Sequence, residues 1–428
     1  MIPYPKALDP IFSKLLCLGA RPYIIGGYIR DTLLKKESKD IDIEVYGVES
    51  YEQLQNILQE FGKVSTVGKS FGVCKLFLKN LDLDFSLPRT EKQNGHGHKA
   101  FDINIDPSLD LINASKRRDF TINAIAYDIK EKKIVDPFGG REDLANKSLR
   151  VINEKTFIED PLRVMRAVQF SARFDLKIDP KLFELCQDMI QKNMVTHLPK
   201  ERIYEEFKKL LLKAKKPSKG FLLLRELSSF SSFALLKEVS SQQYTIMLEQ
   251  IDLLASQTKL ESSLKIKYYF ALISLSLSDT EETFTFLTIL TDEKKLNEDL
   301  QELLALHKEF KEQLKQEPLD QNIRLFASKT VIEELLFFEQ IVFAKDHQSL
   351  EKILAFKIQA ESLGLYQKQL FPLIKGKDLI SLGLKPSKEF RSYLQKVFKA
   401  QIRGDFFTRE EALLWIEKNA HTLFTSSQ

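Results

Sequence analysis

The spacing of hydrophobic positions changes part-way along this 428-residue chain. In the first 150 residues they come in short runs rich in β-branched residues: "PYIIGG", "DIDIEVYG", "VCKLFL", "LDLDFSL" and "KKIVDPFGG". Runs of this kind, bounded by Gly, Pro and Asp, predict strands. The segment 50–61 between two of them predicts a helix. The mixture points to an α/β or α+β domain. From about residue 155 the spacing becomes three and four, as in "DPLRVMRAVQFSARF" and "ERIYEEFKKLLLKA". That is the mark of amphipathic helices. "KAKKPSKG", 213–220, with Pro217 and Gly220, reads as a joint between two helical parts. "EPLDQ" and "ESLGLYQKQLFP" place further breaks near 317 and 363. The last 50 residues read as short helices, one of them opened by a Thr408/Glu411 capping box. No fixed-period repeat is present.

Composition narrows the class. The chain is too long for one ordinary core, so roughly two to four domains are expected. A hydrophobic content of 43% and a charged content of 29% fit a globular protein. No apolar run reaches about 18 residues, so no membrane span is expected. The start, "MIPYPKALDP", lacks the basic and apolar regions of a secretory leader. Cys17, Cys74 and Cys186 are far apart and form no metal or disulfide pattern, so a reducing, cytoplasmic setting is expected. The net charge of +4 is only mildly basic. It neither demands a nucleic-acid partner nor excludes a local basic patch.

The chemistry starts at "KDIDIEVYG", residues 39–47. Side chains alternate along a strand, so Ile41, Ile43 and Val45 face one side and Asp40 and Asp42 the other. Two neighbouring carboxylates repel unless a cation neutralises them. Mg²⁺ takes such oxygen ligands, usually with substrate phosphates completing its shell. A solvated strand face would look the same. The residues upstream shift the balance. In "YIIGGYIRDTLL", 23–34, an apolar strand ends at Gly26 and Gly27 and a helix follows with Arg30 and Asp31 near its first turn. Paired glycines let backbone N–H groups approach a phosphate, and a helix N-terminus favours anions. "LDLDFSLPRTE" offers a third carboxylate for a two-metal site, Asp84 or, failing that, Asp82. "GKVSTVGKS", 62–70, imitates a P-loop but has one residue too many between its glycines and leads into a strand.

Two further segments carry paired charges. In "SKRRDFTINAIAYD", 115–128, Arg117 and Arg118 can grip phosphates bidentately. The following apolar residues are expected to form a helix or its lead-in, where Asp119 and Asn123 would share a face and reach a ribose. A basic surface turn with an aspartate cap is the plainer account. In "FIEDPLRVMRAVQFSARF", 157–174, Pro161 suits the first helical position with Asp160 as N-cap. Asp160, Arg163 and Arg166 follow one stripe, beside an apolar stripe of Leu162, Met165, Val168 and Ala172. An Asp beside an Arg offers acceptors and donors that complement a nucleobase edge. The plainer account is a cap with an i,i+3 ion pair.

Taken in order, "GGYIRD", "DIDIEVYG", "RRDFTINAIAYD", "DPFGG" and "EDPLRVMRAVQFSARF" closely resemble the class II tRNA nucleotidyltransferases, the CCA-adding enzymes, with their bacterial poly(A) polymerase relatives. "LPKERIYEEF" and "GKDLISLGLKPSKEF" extend the resemblance along the chain. It implies an α+β fold with a polymerase-β-like head, 1–150, and an all-α remainder: neck 151–216, body 217–355 and tail 356–428. It implies Mg²⁺ on Asp40 and Asp42, with Asp84 as a third catalytic carboxylate. Gly26, Gly27 and Arg30 would lie beside the triphosphate. Arg118, with Arg117 beside it, Asp119 and Asn123 would contact ribose and phosphate. Arg166 would be a phosphate ligand, and Asp160 and Arg163 would read the base. The stretch 89–101, starting with Arg89, Thr90 and Glu91, matches a flexible loop that switches C to A addition. The implied activity is template-independent addition of CCA to the 3′ end of tRNA from CTP and ATP. Lys213, Lys215, Lys216, Lys385, Lys388 and Arg391 are candidate contacts to the tRNA backbone. A-only addition, poly(A) synthesis and a catalytically inactive RNA-binding protein stay open. No H…HD…D hydrolase pattern accompanies His307, His347 or His421.

Overall fold

A computed structural model describes residues 2–65, 72–78, 81–93, 101–227, 239–277, 290–384 and 389–419. The chain divides into two compact units, Met1–Ser262 with Ser276–Asp292, and Ser263–Leu275 with Glu293–Gln428.

The first unit holds the strands. β1 (Arg21–Ile25), β2 (Asp40–Tyr46), β3 (Lys63–Ser65), β4 (Val73–Leu78) and β5 (Leu81–Ser86) precede a separate antiparallel ribbon, β6 (Arg89–Gln93) with β7 (Phe101–Ile105). β8 (Ala126–Asp128) and β9 (Lys133–Val135) return to the main sheet. Among the described residues that sheet has seven strands in the order β3-β4-β5-β2-β1-β8-β9. β2 and β5 run parallel and the other neighbours antiparallel, so the sheet is mixed. Ile41, Ile43 and Val45 are buried, whereas Asp40 and Asp42 are open to solvent, as the alternation requires. Glu44 breaks the pattern: it lies on the carboxylate face yet is fully buried.

Helices α1 (Asp9–Cys17), α2 (Gly27–Leu33) and α3 (Tyr51–Gln59) pack on the sheet, and α4 (Leu111–Ser115) and α5 (Gly140–Ala145) follow. The unit then becomes helical through α6 (Glu154–Phe157), α7 (Leu162–Phe174), α8 (Pro180–Gln191), α9 (Lys200–Lys213) and α10 (Ser218–Leu227). α7 buries the expected stripe of Leu162, Met165, Val168 and Ala172. It also buries Val164, Ala167, Phe170 and Phe174, because α9 and α10 both pack against it.

Two local expectations need correction. "RRDFTINAIAYD" is not a helix. After α4 the chain turns, makes one 3-10 turn at Thr121–Asn123 and enters β8. Asp119 and Asn123 still meet, with Asn123 Nδ2 donating to Asp119 Oδ1 at 2.8 Å, because the turn folds the segment back on itself. Pro161 precedes α7 rather than opening it. Asp160 nevertheless accepts the Leu162 N–H at 3.1 Å, so its capping role survives one residue later.

"DPFGG" has a structural explanation. Asp136 accepts the N–H groups of Gly140 and Arg141 at 2.8 and 2.9 Å and so caps α5. Gly140 lies against the Thr121 backbone, where an added Cβ would collide with the carbonyl. α5 thereby supports the 119–123 turn from behind.

The second unit is helical: Lys294–Gln313, Asp320–Lys329, Ile332–Val342, His347–Ser362, Gly376–Ser381, Phe390–Arg403 and Arg409–Lys418. Its breaks fall near 317 and after 362, as the sequence indicated. Thr408 and Glu411 form their capping box. Lys385 and Lys388 lie outside the described residues, and Arg391 is on the Phe390–Arg403 helix. No described helix is long and apolar enough to cross a membrane.

Gly140→Ala is expected to cost about 2 kcal/mol, the usual cost of forcing atoms into a filled space. Urea unfolding checks it through the transition midpoint, and an unchanged midpoint would contradict the packing account.

Candidate active site

A cleft of about 410 Å³ opens where the β1–α2 turn meets β2. Its wall gathers residues from five places in the sequence, one of them Arg202 of α9. The turn supplies Gly26, Gly27 and Arg30, and β2 supplies Asp42. The 116–123 turn supplies Arg118, Asp119 and Asn123, and the start of α7 supplies Asp160, Arg163 and Arg166. Asp40 and Asp84 sit outside this wall, one pleat and one strand away from Asp42. Arg89, Thr90 and Glu91 are on β6, opposite Ile105, Asn104 and Ile103. Residues 94–100 of the expected loop lie outside the described residues.

Gly26 has φ +68°, a left-handed conformation that glycine adopts without penalty. A Cβ there would sit 3.3 Å from an Arg118 nitrogen and 3.8 Å from Asp42 Oδ2. The first glycine of the pair therefore keeps open the floor on which a cation and a carboxylate face each other.

The arginines are held before any ligand arrives. Arg30 is buried, pairs with Asp31 at 2.7 Å and donates to Asn123 Oδ1 at 2.6 Å. Burial holds its guanidinium below the usual arginine range, against the opposing pull of Asp31. Arg166 donates to Asp119 through Nε at 2.7 Å and pairs through a second nitrogen at 2.6 Å. Burial alone would raise the Asp119 carboxyl, but Arg166 and the Asn123 hydrogen bond outweigh it and hold the group below the usual carboxylate range. Asp160 and Arg163 do not pair with each other. Asp160 pairs with Arg202 of α9 at 3.0 Å, and Arg163 donates to the backbone carbonyls of Thr156 at 2.6 Å and Arg117 at 2.5 Å.

Across the parallel β2–β5 pairing, Asp42 stands beside Asp84 and Asp40 beside Asp82. Surrounding protein raises the Asp42 carboxyl, Arg118 opposes this, and Asp84, Asp40 and Glu44 add to it. Asp84 is raised in the same way, with Lys75 opposing and Asp82 and Asp40 adding. Asp84 Oδ1 is buried without a hydrogen-bond partner, whereas Asp82 is exposed. Among the described residues no three acidic, His or Cys side chains form a ready-made metal cage. The donor set instead fits a hard divalent cation held by a few carboxylates and completed by substrate oxygens. The register sets Asp84, and not Asp82, directly beside Asp42, with Lys75 Nζ 4.0 Å from its Oδ1.

Three contributors escaped the sequence reading. Glu44 offers one oxygen to Arg117 and the other to Arg118, each at 3.3 Å. It faces the same way as Asp40 and Asp42, and only that period-two continuation could have flagged it. Arg202 braces Asp160 from α9. Glu206, buried on the same helix, lies 3.7 Å from Arg166. Nothing in the local sequence of α9 indicates either contact.

Asp119→Asn is expected to destabilise the protein by about 3 kcal/mol at pH 7, since it leaves Arg166 only the more distant Glu206 carboxylate. Asp119 is depressed in the folded state, so its contribution is present above the unfolded carboxyl value of about 3.9 and is lost as pH falls through the lower folded value. The gap in stability between the two proteins should therefore hold steady from pH 7 to about 5 and shrink below about 4. Chemical denaturation across pH checks this, and a gap independent of pH would contradict it.

Residues 22–150 match the family model described as Poly A polymerase head domain. Residues 175–238 match that described as Probable RNA and SrmB- binding site of polymerase A. A Multifunctional CCA protein of Aromatoleum aromaticum is 36% identical over 208 residues, 48% of each chain. One from Xylella fastidiosa is 37% identical over 195 residues, 45% of this chain and 44% of that one. The chain thus spans about half the length of the curated relatives it matches. The Bacillus stearothermophilus CCA-adding enzyme in complex with CTP superposes with a TM-score of 0.74 at 23% identity, covering 98% of this chain and 99% of that one. The Thermotoga maritima CCA-adding enzyme complexed with tRNA gives a TM-score of 0.62 at 21% identity over 98% and 97%. At those identities the likeness is one of fold, and it runs the length of the chain. The match to the poly A polymerase head domain spans nearly all of the residues that form the mixed seven-stranded sheet.

Proposed function

We propose that the protein adds CMP, CMP and AMP, from CTP and ATP, to the 3′ end of tRNA without a nucleic-acid template, releasing pyrophosphate. One observation carries the reading. A 410 Å³ cleft joins a Gly-Gly turn and three arginines to Asp160 and Arg163, at the edge of a row of carboxylates. The first part suits a triphosphate, the second a base and the third the transfer chemistry. The curated relatives bear the name Multifunctional CCA protein, which supports the same reading. Within it the chain keeps the four-part division into head, neck, body and tail, and a cytoplasmic location.

The residues act as follows. Arg30, Arg118 and Arg166 take the triphosphate oxygens, and the open floor at Gly26 lets the chain approach the backbone. Asp160 and Arg163, both on the cleft wall, would offer the base an acceptor and a donor. Cytosine and adenine both carry an exocyclic amino donor next to a ring-nitrogen acceptor, so one pair serves both bases and disfavours guanine and uracil. Asp119 and Asn123, on the cleft wall, would meet the ribose. The acceptor 3′ hydroxyl attacks the α-phosphate, and Asp84, beside Asp42, would take its proton. Mg²⁺ held by Asp40 and Asp42 would supply Lewis-acid activation of that hydroxyl and neutralise charge on the departing pyrophosphate.

The test is incubation with tRNAs ending at the discriminator base, at C or at CC, with CTP and ATP, and sizing of the products on a gel. Growth to CCA and no further is the expected result. Extension of the CC-ended tRNA alone would make it an A-adding enzyme, a long adenylate tail a poly(A) polymerase, and no product an RNA-binding protein. Asp42→Ala should abolish incorporation while leaving tRNA binding nearly intact, and full activity of that variant would remove the metal-ligand role. Arg163→Ala should relax the preference for CTP and ATP over GTP and UTP more than it weakens tRNA binding. Unaltered selectivity would remove its base-reading role.

A further inference from the structure

The cations inside the cleft are matched by carboxylates or backbone carbonyls, but a second group beside it is not. Lys36 follows α2, Arg173 is in the last turn of α7, Lys213 ends α9 and Lys215 comes just after. Lys36 Nζ and the Arg173 guanidinium each stand 4.7 Å from the centre of the Phe174 ring, which Arg30 also reaches at 4.3 Å. The nearby carboxylate, Asp31, is already engaged by Arg30 at 2.7 Å and by Arg173 at 3.9 Å. Lys147 and Lys219, a short way along, share Asp175. Among the described residues Lys36, Lys213 and Lys215 have no such partner, although all three are exposed. Partial desolvation, with repulsion from Arg173, lowers both the Lys36 and the Lys213 ammonium groups against the pull of Asp31, and Lys215 adds to the repulsion on Lys36. The group therefore gains by taking up an anion.

Its position suggests which anion. Asp42 pairs with Ile25 at the mouth of the cleft, and Asp40 lies one pleat further out, beyond the end of β1. Lys213 is within the field of Asp40 and Asp31. The cluster thus borders the carboxylate row at its outer end, and it shares the Phe174 ring with Arg30. An in-line displacement brings the attacking hydroxyl in opposite the leaving pyrophosphate. The strand that carries this hydroxyl has a phosphodiester at every nucleotide.

We propose that Lys36, Arg173, Lys213 and Lys215 form a shelf that grips the phosphodiester backbone of the RNA strand being extended, next to its 3′ end. The shelf rests on the reading that the chain extends RNA, and its test separates the two. Binding of a labelled tRNA lacking its terminal CCA is followed by fluorescence anisotropy over a salt series, in EDTA so that no transfer occurs. The probe is compared on the full chain and on the triple variant Lys36→Ala, Lys213→Ala, Lys215→Ala. Removing three contacts to a single strand should flatten the salt dependence by about 2 in log–log slope. It should also weaken binding roughly tenfold or more at moderate salt, with CTP affinity unchanged. A control triple, Lys130→Ala, Lys132→Ala, Lys133→Ala, removes the same charge at the exposed β8–β9 turn and should alter neither quantity. An unchanged slope, an equal loss in the control, a loss of CTP affinity in place of RNA affinity, or no RNA binding by the unaltered chain would each overturn the shelf. RNA binding that follows the expected pattern, with no nucleotide added in the gel assay, would leave the shelf standing and remove the transferase reading.

Discussion

Four carboxylates on two adjacent parallel strands repel one another, and the head is arranged around that repulsion. The β2–β5 register pairs Asp40 with Asp82 and Asp42 with Asp84, so no shift of side chains can separate them without breaking the ladder. The sheet's own hydrogen bonds thus hold like charges together, and cations offset the cost: Arg118 beside Asp42 and Lys75 beside Asp84. Ile41, Ile43 and Val45 on the opposite face fix the strand in place, because slipping by one residue would bury the aspartates and expose the isoleucines.

The surrounding cations are organised by a smaller set of buried carboxylates. Glu44 spreads Arg117 and Arg118, Asp119 holds Arg166, and Asp31 holds Arg30. The first two ties join different elements, strand to turn and turn to helix α7, while Arg30, paired within α2, reaches the turn through Asn123. The cleft is therefore pre-formed. The guanidinium groups surrender little rotamer freedom when a polyanion arrives, which favours affinity by lowering the cost of ordering.

Much of this was legible in the sequence, and the boundary has a physical basis. The alternation of β2, the Gly-Gly turn and the apolar stripe of α7 are local patterns set by backbone geometry, and they stand as read. The segment 115–128 failed as a helix because a four-residue spacing of Asp119 and Asn123 serves a folded turn equally well. The i,i+3 pair expected of Asp160 and Arg163 gave way to partners far along the chain, Arg202 and the carbonyls of Thr156 and Arg117. Glu44 reads as one more polar residue on a solvated face until the arginines 73 and 74 positions later cover it. Period and capping are properties of neighbours in sequence, whereas charge compensation depends on neighbours in space.

The seating of Arg163 has a consequence for how this chain can change over time. Its guanidinium is anchored on two main-chain oxygens, and every amino acid carries a main-chain oxygen. Residues 117 and 156 can therefore be exchanged freely as far as this anchorage is concerned, provided the path of the chain is kept. Asp160 is different, since one oxygen rests on the Leu162 N–H but the other depends on the side chain of Arg202. One half of the pair is inherited with the fold, and the other must be maintained by selection at two distant positions.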